Sequence, residues 1–168
     1  MREPRVSEKI TVREADLADP GQAAALVEML DAYMRDPMQA GSPPSTQVKR
    51  ELIRGLRAHP ACYVFFALRG EKPIGFAICF LGFSTFMARP LINIHDIFVQ
   101  GSDRGVGIGK LILDRIEAQA RSLNGCAITL EVREDNHRAR GLYRKFGFER
   151  AEVGSQRVPM EFWRKGLP

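Results

Sequence analysis

Three alternate glycines, Gly105, Gly107 and Gly109, form the strongest chemical signal in the chain. They lie between a strand-like and a helix-like segment, in a run from Arg104 to Lys110. Without Cβ atoms, the N–H groups of such a turn can approach a large anion, and the positive end of the next helix attracts phosphate. The alternative is a turn whose glycines serve only chain reversal. We interpret the run as a candidate phosphate site comprising Arg104, Gly105, Val106, Gly107, Ile108, Gly109 and Lys110.

Two common nucleotide motifs do not fit this turn. The dinucleotide motif GxGxxG would need glycine at Lys110, and the Walker motif GxxxxGK[ST] would need glycine at Arg104. A basic segment follows downstream, and its charges suit either a solvated helix face or an anion site. Together with the turn, they favour an elongated phosphorylated ligand. The basic residues are Arg133, Arg138, Arg140, Arg144 and Lys145.

The charge distribution agrees with this interpretation. The chain has 25 Lys and Arg against 20 Asp and Glu, a formal net charge of +5. Residues 1–100 hold 12 basic and 11 acidic side chains, whereas residues 101–168 hold 13 and 9. Most of the excess therefore accompanies the turn and the basic segment. Such an excess suits an anionic partner, but we find no nucleic-acid motif and expect no nucleic-acid partner.

Composition excludes several classes of protein. An apolar content of 45% argues against wholesale disorder, and 168 residues suit one domain, predicted over residues 1–168. The longest apolar run, Ile74–Phe83, is too short to span a bilayer, and the charged N-terminus is no signal peptide. We therefore expect a cytoplasmic protein with no membrane partner. The widely spaced Cys62, Cys79 and Cys126 predict buried, reduced thiols and no metal site.

Hydrophobic periodicity and turn residues predict the elements that position these side chains. The predicted order is β-α-α-β-β-β-α-β-α-β-β, an α/β (α+β) mixture with a central run of antiparallel strands. Helices are expected after the caps Asp19 and Ser45, from Ile108 to Leu123, and from Asn136 to Phe146. In the second of these helices, the buried stripe is expected to comprise Val48, Leu52, Ile53 and Leu56. The predicted strands are Ile10–Arg13, Cys62–Leu68, Ile74–Phe86, Leu91–Val99, Cys126–Val132, Phe148–Val153 and Val158–Trp163.

The turn and a downstream segment resemble a known family. Arg104–Gly109 resembles the [Q/R]-x-x-G-x-[G/A] acetyl-CoA signature of the GCN5-related N-acetyltransferases, abbreviated GNAT. Asn136–Phe148 resembles the N-x-x-A-x-x-[L/F]-Y-x-x-x-G-F segment of the same family. The element order fits over about Ile10–Trp163. Phe83–Phe86 and Ile94–Val99 are most similar to the diamine acetyltransferase branch.

The resemblance implies a mixed, mostly antiparallel sheet flanked by about four helices. Two strands, one ending at Val99 and one beginning at Cys126, would splay apart and hold acetyl-CoA. The amides of Gly105–Lys110 would bind its pyrophosphate, and no metal would be required. The pantetheine would contact Ile97, Phe98, Val99 and Asn136.

The implied reaction is acetyl transfer from acetyl-CoA to a primary amine of a small molecule or peptide, by direct attack in a ternary complex. An alkyl ammonium has a pKa of about 10.4, so a base must remove a proton, and the leaving thiolate gains from a proton donor. Tyr143 matches the acid of the family; otherwise it anchors its helix to the core. The alternative function is a non-catalytic acyl-CoA-binding regulatory module. By analogy with relatives, the strand through Phe162 and Trp163 could pair across a homodimer.

Three residues are candidates for the base. His95 and Asp96 are consecutive in a strand, so their side chains point to opposite faces unless a bulge redirects one of them. His95 replaces a glutamate of the diamine branch; histidine titrates near neutral pH and could act as the base, or His95 could be a buried structural residue. Glu131 is a candidate by resemblance, against an ordinary exposed strand residue. The choice among the three, or a water held by one of them, stays open.

Acidic residues of the first helix and its exit loop would border the acceptor cleft in this fold. Their charge suits a cationic amine, although acids on one helix face are commonly just solvated. The candidate substrate-binding residues are Glu28, Asp31 and Asp36.

Overall fold

The computed structural model describes residues 8–39, 42–153, 158–159 and 165–166. The order of helices and strands is the predicted one, with a short 3₁₀ turn at Gly101–Asp103 before the glycine run. The helices are α1 (Pro20–Met34), α2 (Thr46–Ala58), α3 (Ile108–Ser122) and α4 (His137–Phe146). The strands are β1 (Ile10–Glu14), β2 (Cys62–Arg69), β3 (Lys72–Ser84), β4 (Arg89–Val99), β5 (Ala127–Leu130), β6 (Glu152–Val153) and β7 (Val158–Pro159).

The chain divides into two compact units, Met1–Arg133 and Glu134–Pro168. The first contains a five-stranded sheet in the order β1-β2-β3-β4-β5, and the second contains α4 and the antiparallel pair β6-β7. Strands β1 to β4 pair antiparallel, whereas β4 and β5 pair parallel. The predicted mixed, mostly antiparallel sheet is therefore confirmed. The single domain over residues 1–168 stays a prediction.

The two faces of the five-stranded sheet carry different helices. On one face, α1 buries Leu26 and Met29 in a cluster with sheet residues such as Phe76, and α2 packs its partly buried side chains against the same cluster. On the other face, α3 buries Ile112 and places the guanidinium of Arg115 4.8 Å from the centre of the Phe65 ring. We refer to the first face as the α1 face.

The ends of the helices follow local capping chemistry. The side chain of Asp19 accepts a hydrogen bond from Gln22 N at 3.0 Å, and Pro20 occupies the first helical position of α1. The hydroxyl of Ser45 accepts from Val48 N at 3.2 Å and so begins α2. Gly147, with φ of +102°, ends α4, since the left-handed conformation suits glycine.

Strands β4 and β5 pair over only part of the length of β4. They pair only from Leu91–Ile94 with Ala127–Leu130. Beyond that point β4 continues to Val99, while β5 has ended at Leu130. Among the described residues, one edge of β4 over residues 95–99 therefore has no neighbouring strand.

A few sequence-based expectations differ from the structure. Val48 was expected in the buried stripe of α2, but it is 51% exposed because α2 only lies over the edge of the core. The strand predicted over Phe148–Val153 is limited to Glu152–Val153, and most of the strand predicted over Val158–Trp163 lies outside the described residues. The three cysteines are free; Cys79 is buried as predicted, and the other two are half-buried. No helix of the described residues is long and apolar enough to cross a membrane.

Candidate active site

The glycine turn has a backbone shape that glycine permits. Gly105 and Gly107 have φ of +89° and +90°, where other residues are strained. A Cβ built on either residue meets no atom within 4 Å, so the space beside both glycines is open. Gly107 begins α3 without a side-chain cap, and the first helical hydrogen bond runs from Leu111 N to Gly107 O. The N–H groups of the first turn of α3 therefore point out of the helix, as an anion site requires.

Arg104, the first residue of the turn, is held by three groups. Its Nε donates to Val99 O at 2.7 Å, and its guanidinium lies 5.3 Å from the centre of the Phe98 ring. Its Nη2 donates to the carboxylate of Asp36, in the loop after α1. These contacts fix the end of β4, the start of the turn and the exit of α1 relative to one another.

Ile97, Phe98 and Val99 form the free end of β4. Phe98 is buried on the α1 face, and Ile97 and Val99 are half-buried. An unpaired strand edge offers backbone N–H and C=O groups to an extended ligand, as in strand addition. Three of the four predicted pantetheine residues, all but Asn136, therefore share the edge at which the pairing of β4 with β5 ends.

A β-bulge at His95 changes the geometry of the candidate base residues. Across β3, Ile78 pairs with Asp96 while Cys79 pairs with Ile94, so His95 is the extra residue. The His95 ring lies 5.5 Å from the ring of Phe80, which packs on the α1 face. Asp96 reaches the same face, where it accepts a hydrogen bond from the Tyr33 side chain. The alternation of a regular strand is thus broken, and both candidates lie on the α1 face.

Asp96 is half-buried in β4. Burial raises the pKa of the Asp96 carboxyl above its ordinary value, and the nearby His95 and the hydrogen bond from Tyr33 oppose this rise. The Tyr33 ring packs against two other aromatic rings, with centroids 5.9 Å from Phe76 and 5.6 Å from Phe98. The donor to Asp96 is therefore rigidly placed.

Glu131 and the acidic residues of α1 lie in different surroundings. Glu131 follows the end of β5 and is exposed, and Glu28 is exposed on α1. One carboxylate oxygen of Asp31 accepts from Lys49 Nζ at 2.5 Å, and the other is buried without a hydrogen-bond partner. Asp36 binds Arg104. Of the three predicted substrate-binding acids, Glu28 is thus the one that is exposed to solvent and makes no ion pair with the described residues.

The second unit contains Asn136 and Tyr143. Asn136 caps α4, because its Oδ1 accepts from Ala139 N at 3.1 Å. Tyr143 is buried and lies edge-on to Phe148, with ring centroids 5.7 Å apart. Burial raises the pKa of the Tyr143 hydroxyl from 10.0 to about 12.

Some neighbours of the candidate site were not identified from the sequence. His59, just after α2, packs edge-on against Phe80 with ring centroids 4.9 Å apart, so Phe80 contacts two histidine rings from distant segments. Lys49 pairs with Asp31 across α1 and α2. No periodicity signals these contacts, because they depend on how separate elements pack. Within the part of the chain that the structure describes, no group of three His, Cys, Asp or Glu residues could hold a metal ion.

Known proteins share this architecture. The model of the Acetyltransferase (GNAT) family matches residues 26–148. A solved aminoglycoside acetyltransferase from an uncultured soil metagenomic sample, determined with sisomicin, superposes with a TM-score of 0.74 at 18% identity, covering 94% of this chain and 97% of that one. At this identity the likeness concerns the fold.

Curated relatives carry related names. An uncharacterized N-acetyltransferase of Methanocaldococcus jannaschii is 34% identical over 83 residues, which is 49% of this chain and only 37% of the relative. The thialysine N-epsilon-acetyltransferase of Bos taurus is 28% identical over 149 residues, with 82% of this chain and 83% of the relative covered. The family match covers well over half of the chain. The chain therefore belongs to the acetyltransferase (GNAT) family.

Proposed function

We propose that this chain transfers an acetyl group from acetyl-CoA to a primary amine by direct attack of the amine in a ternary complex. The observation that carries the proposal is the open glycine turn next to the free edge of β4 over residues 95–99. A phosphate site and an edge for an extended chain thus adjoin, which suits a ligand with a pyrophosphate and a long amide-containing arm. Acetyl-CoA would supply the activated thioester.

The residues of the chain fit acetyl-CoA in their chemistry. The positive-φ turn at Gly105 and Gly107 presents N–H groups to a pyrophosphate, with the Lys110 charge nearby in sequence. The edge at Ile97, Phe98 and Val99 would bind the pantetheine as an added strand. Asn136, in the second unit, keeps its proposed role as a pantetheine contact from the family resemblance alone.

The His95–Asp96 bulge is our proposed position for the base. An amine acceptor enters as an ammonium ion and must lose a proton before it attacks. Because burial raises the pKa of Asp96, its carboxylate is a stronger base than an exposed one. His95 on the same face could take the proton directly or through a water molecule. Glu131 is the alternative base.

Tyr143 is proposed to assist the leaving thiolate. Its pKa of about 12 keeps it protonated at neutral pH. A thiol with a pKa of about 8.5 is a much stronger acid, so complete proton transfer from Tyr143 would be unfavourable. We therefore expect Tyr143 to act by donating a hydrogen bond to the sulfur as negative charge develops there.

The proposed acceptor is a small cationic amine, with a peptide amine as the second class. The bovine relative is named for thialysine, and the structural neighbour for aminoglycosides. Glu28 would contribute negative potential at the acceptor side of this chain, whereas Asp31 would act there as part of its ion pair with Lys49. Asp36 is bound to Arg104, and we expect it to act on the acceptor only through that contact.

An acceptor panel with detection of released CoA tests the proposal. The panel should contain thialysine, diamines, an aminoglycoside and a peptide with a free α-amine, and mass spectrometry should show one added acetyl group. Intersecting initial-rate lines would support a ternary complex, whereas parallel lines would contradict it. Tight acetyl-CoA binding without turnover on any amine would favour the regulatory module. Light scattering on the same sample tests the homodimer; Phe162 and Trp163 lie outside the described residues.

Variants at the three candidate bases distinguish them. His95→Gln, Asp96→Asn and Glu131→Gln each remove one titrating group with little change of size. We expect the acidic limb of the pH profile of kcat/KM to disappear in Asp96→Asn or His95→Gln and to persist in Glu131→Gln. Loss of the limb only in Glu131→Gln would move the base away from the bulge.

A further inference from the structure

The carboxylate of Asp36 joins two loops that lie far apart in the sequence. One oxygen accepts from Met38 N at 2.9 Å and so shapes the exit of α1. The other accepts from Arg104 Nη2 at the start of the glycine turn. A single side chain thus orders the proposed acceptor-side loop and binds the proposed donor-side turn.

The burial of this ion pair makes it more than a surface contact. The side chains of Asp36 and Arg104 are only 12% and 26% exposed, whereas the Glu117–Arg121 pair on α3 is 35% and 77% exposed. Exposed pairs contribute little to stability, but removal of one partner of a shielded pair leaves a charge without compensation. Loss of Asp36 should therefore disturb Arg104, whereas loss of Glu117 should not disturb its surroundings.

Arg104 transmits the constraint to the strand that ends at the turn. Its Nε donates to Val99 O at 2.7 Å, and its guanidinium packs on Phe98. Phe98 lies 5.6 Å from Tyr33, the side chain that donates to Asp96. Contacts thus run without interruption from the glycine turn to the candidate base, within the first unit.

We infer that Asp36 is a positioning residue: through Arg104 it holds the glycine turn in its anion-binding shape and couples the acceptor-side loop to the donor site. The coupling to acetyl-CoA rests on the proposed function. The stabilisation of the glycine turn by Asp36, here called the hold on the turn, does not rest on that function, because it is a property of the free protein. Asp36 would thereby influence affinity for the donor although it belongs to the loop on the acceptor side.

Hydrogen exchange of the ligand-free protein tests the hold on the turn. Asp36→Asn keeps an oxygen for Met38 N but removes the charge that binds Arg104, and Glu117→Gln is the matched control. We expect the hydrogen-bonded amides that flank the glycines, those of Arg104 and Leu111, to exchange about tenfold faster in Asp36→Asn, equivalent to about 1.4 kcal/mol, and to be unchanged in the control. Unchanged exchange at the turn would overturn the inference, as would an equal increase in the β2 core.

Titration with acetyl-CoA tests the coupling. We expect Asp36→Asn to raise the Kd and the KM for acetyl-CoA about tenfold while kcat changes less than about threefold. The double variant Asp36→Asn/Arg104→Gln should bind no more weakly than Arg104→Gln alone, because both changes break the same contact. Additive losses would overturn the coupling. If the wild-type chain binds no acetyl-CoA but the turn still exchanges faster in Asp36→Asn, the proposed function fails and the hold on the turn stands.

Discussion

Gly107 provides the sharpest test of the proposed acetyl-CoA site, because two substitutions at this one position separate the effect of backbone strain from the effect of charge. It has φ of +90° and open space where a side chain would begin. We compare Gly107→Asp with Gly107→Asn, which has the same shape without the charge. Gly101→Ala is the control for added bulk in the same loop, since its Cβ also meets nothing within 4 Å and its φ is not in the left-handed range.

The structure allows both effects to be estimated. A non-glycine residue in the left-handed region costs about 1–2 kcal/mol, and asparagine costs less than most. For a chain of this size, that strain lowers Tm by about 2–8 °C. A carboxylate 4 Å from one phosphate charge adds a repulsion of about 1 kcal/mol in water and about 4 kcal/mol near a protein surface. Gly107→Asp should therefore bind acetyl-CoA at least about fivefold more weakly than Gly107→Asn.

Isothermal titration with acetyl-CoA and thermal unfolding measure the two effects separately. The difference in Kd between Gly107→Asp and Gly107→Asn should shrink as salt is added, because exposed charges are screened. Both variants should lose stability relative to Gly101→Ala. Equal acetyl-CoA affinity in the aspartate and asparagine variants at low salt would refute the assignment of the turn as the pyrophosphate site.

Three further predictions concern the titrating side chains. Tyr143→Phe should lower kcat about 100-fold while the Kd for acetyl-CoA changes less than about twofold, and an unchanged kcat would exclude its role at the thiolate. Because burial raises the pKa of Asp96 above its ordinary value of 3.8, the stability contributed by this group is present below that value and is lost as pH rises through the folded-state pKa. Asp96→Asn should therefore unfold at a higher temperature than the wild type at pH 7 and lose this advantage near pH 3; a lower Tm at pH 7 would contradict the burial argument. Burial raises the pKa of Cys62 from 9.0 to about 11 and the pKa of Cys79 from 9.0 to about 12. Alkylation at pH 8 should therefore be about 100-fold slower at Cys62 and about 1,000-fold slower at Cys79 than at an unshifted thiol. Mass spectrometry of timed samples measures these rates, and rapid labelling of Cys79 would contradict the prediction.

Most of the helices and strands could be predicted from the sequence, because the residues that begin and end them act on their near neighbours. The caps at Asp19 and Ser45 and the stop at Gly147 each act within one helical turn, so their meaning does not depend on packing. Val48 shows what local sequence cannot predict, namely the depth at which a helix is buried. The apolar spacing of α2 was read correctly, but how deeply its first turn is buried depends on where the helix lies over the sheet.

The sequence by itself determined the order of the elements, the glycine turn and the family to which they point, because these reside in residue types at short, constant spacing. Only the tertiary structure decided that His95 and Asp96 share a face, because the bulge arises in the pairing of β4 with β3. It likewise decided that Asp36 binds Arg104, 68 residues further along the chain. Two oppositely charged residues so far apart have no reason to meet until α1 and the end of β4 pack together. Those long-range contacts bring the glycine turn, the bulge of β4 and the loop after α1 together in one candidate site.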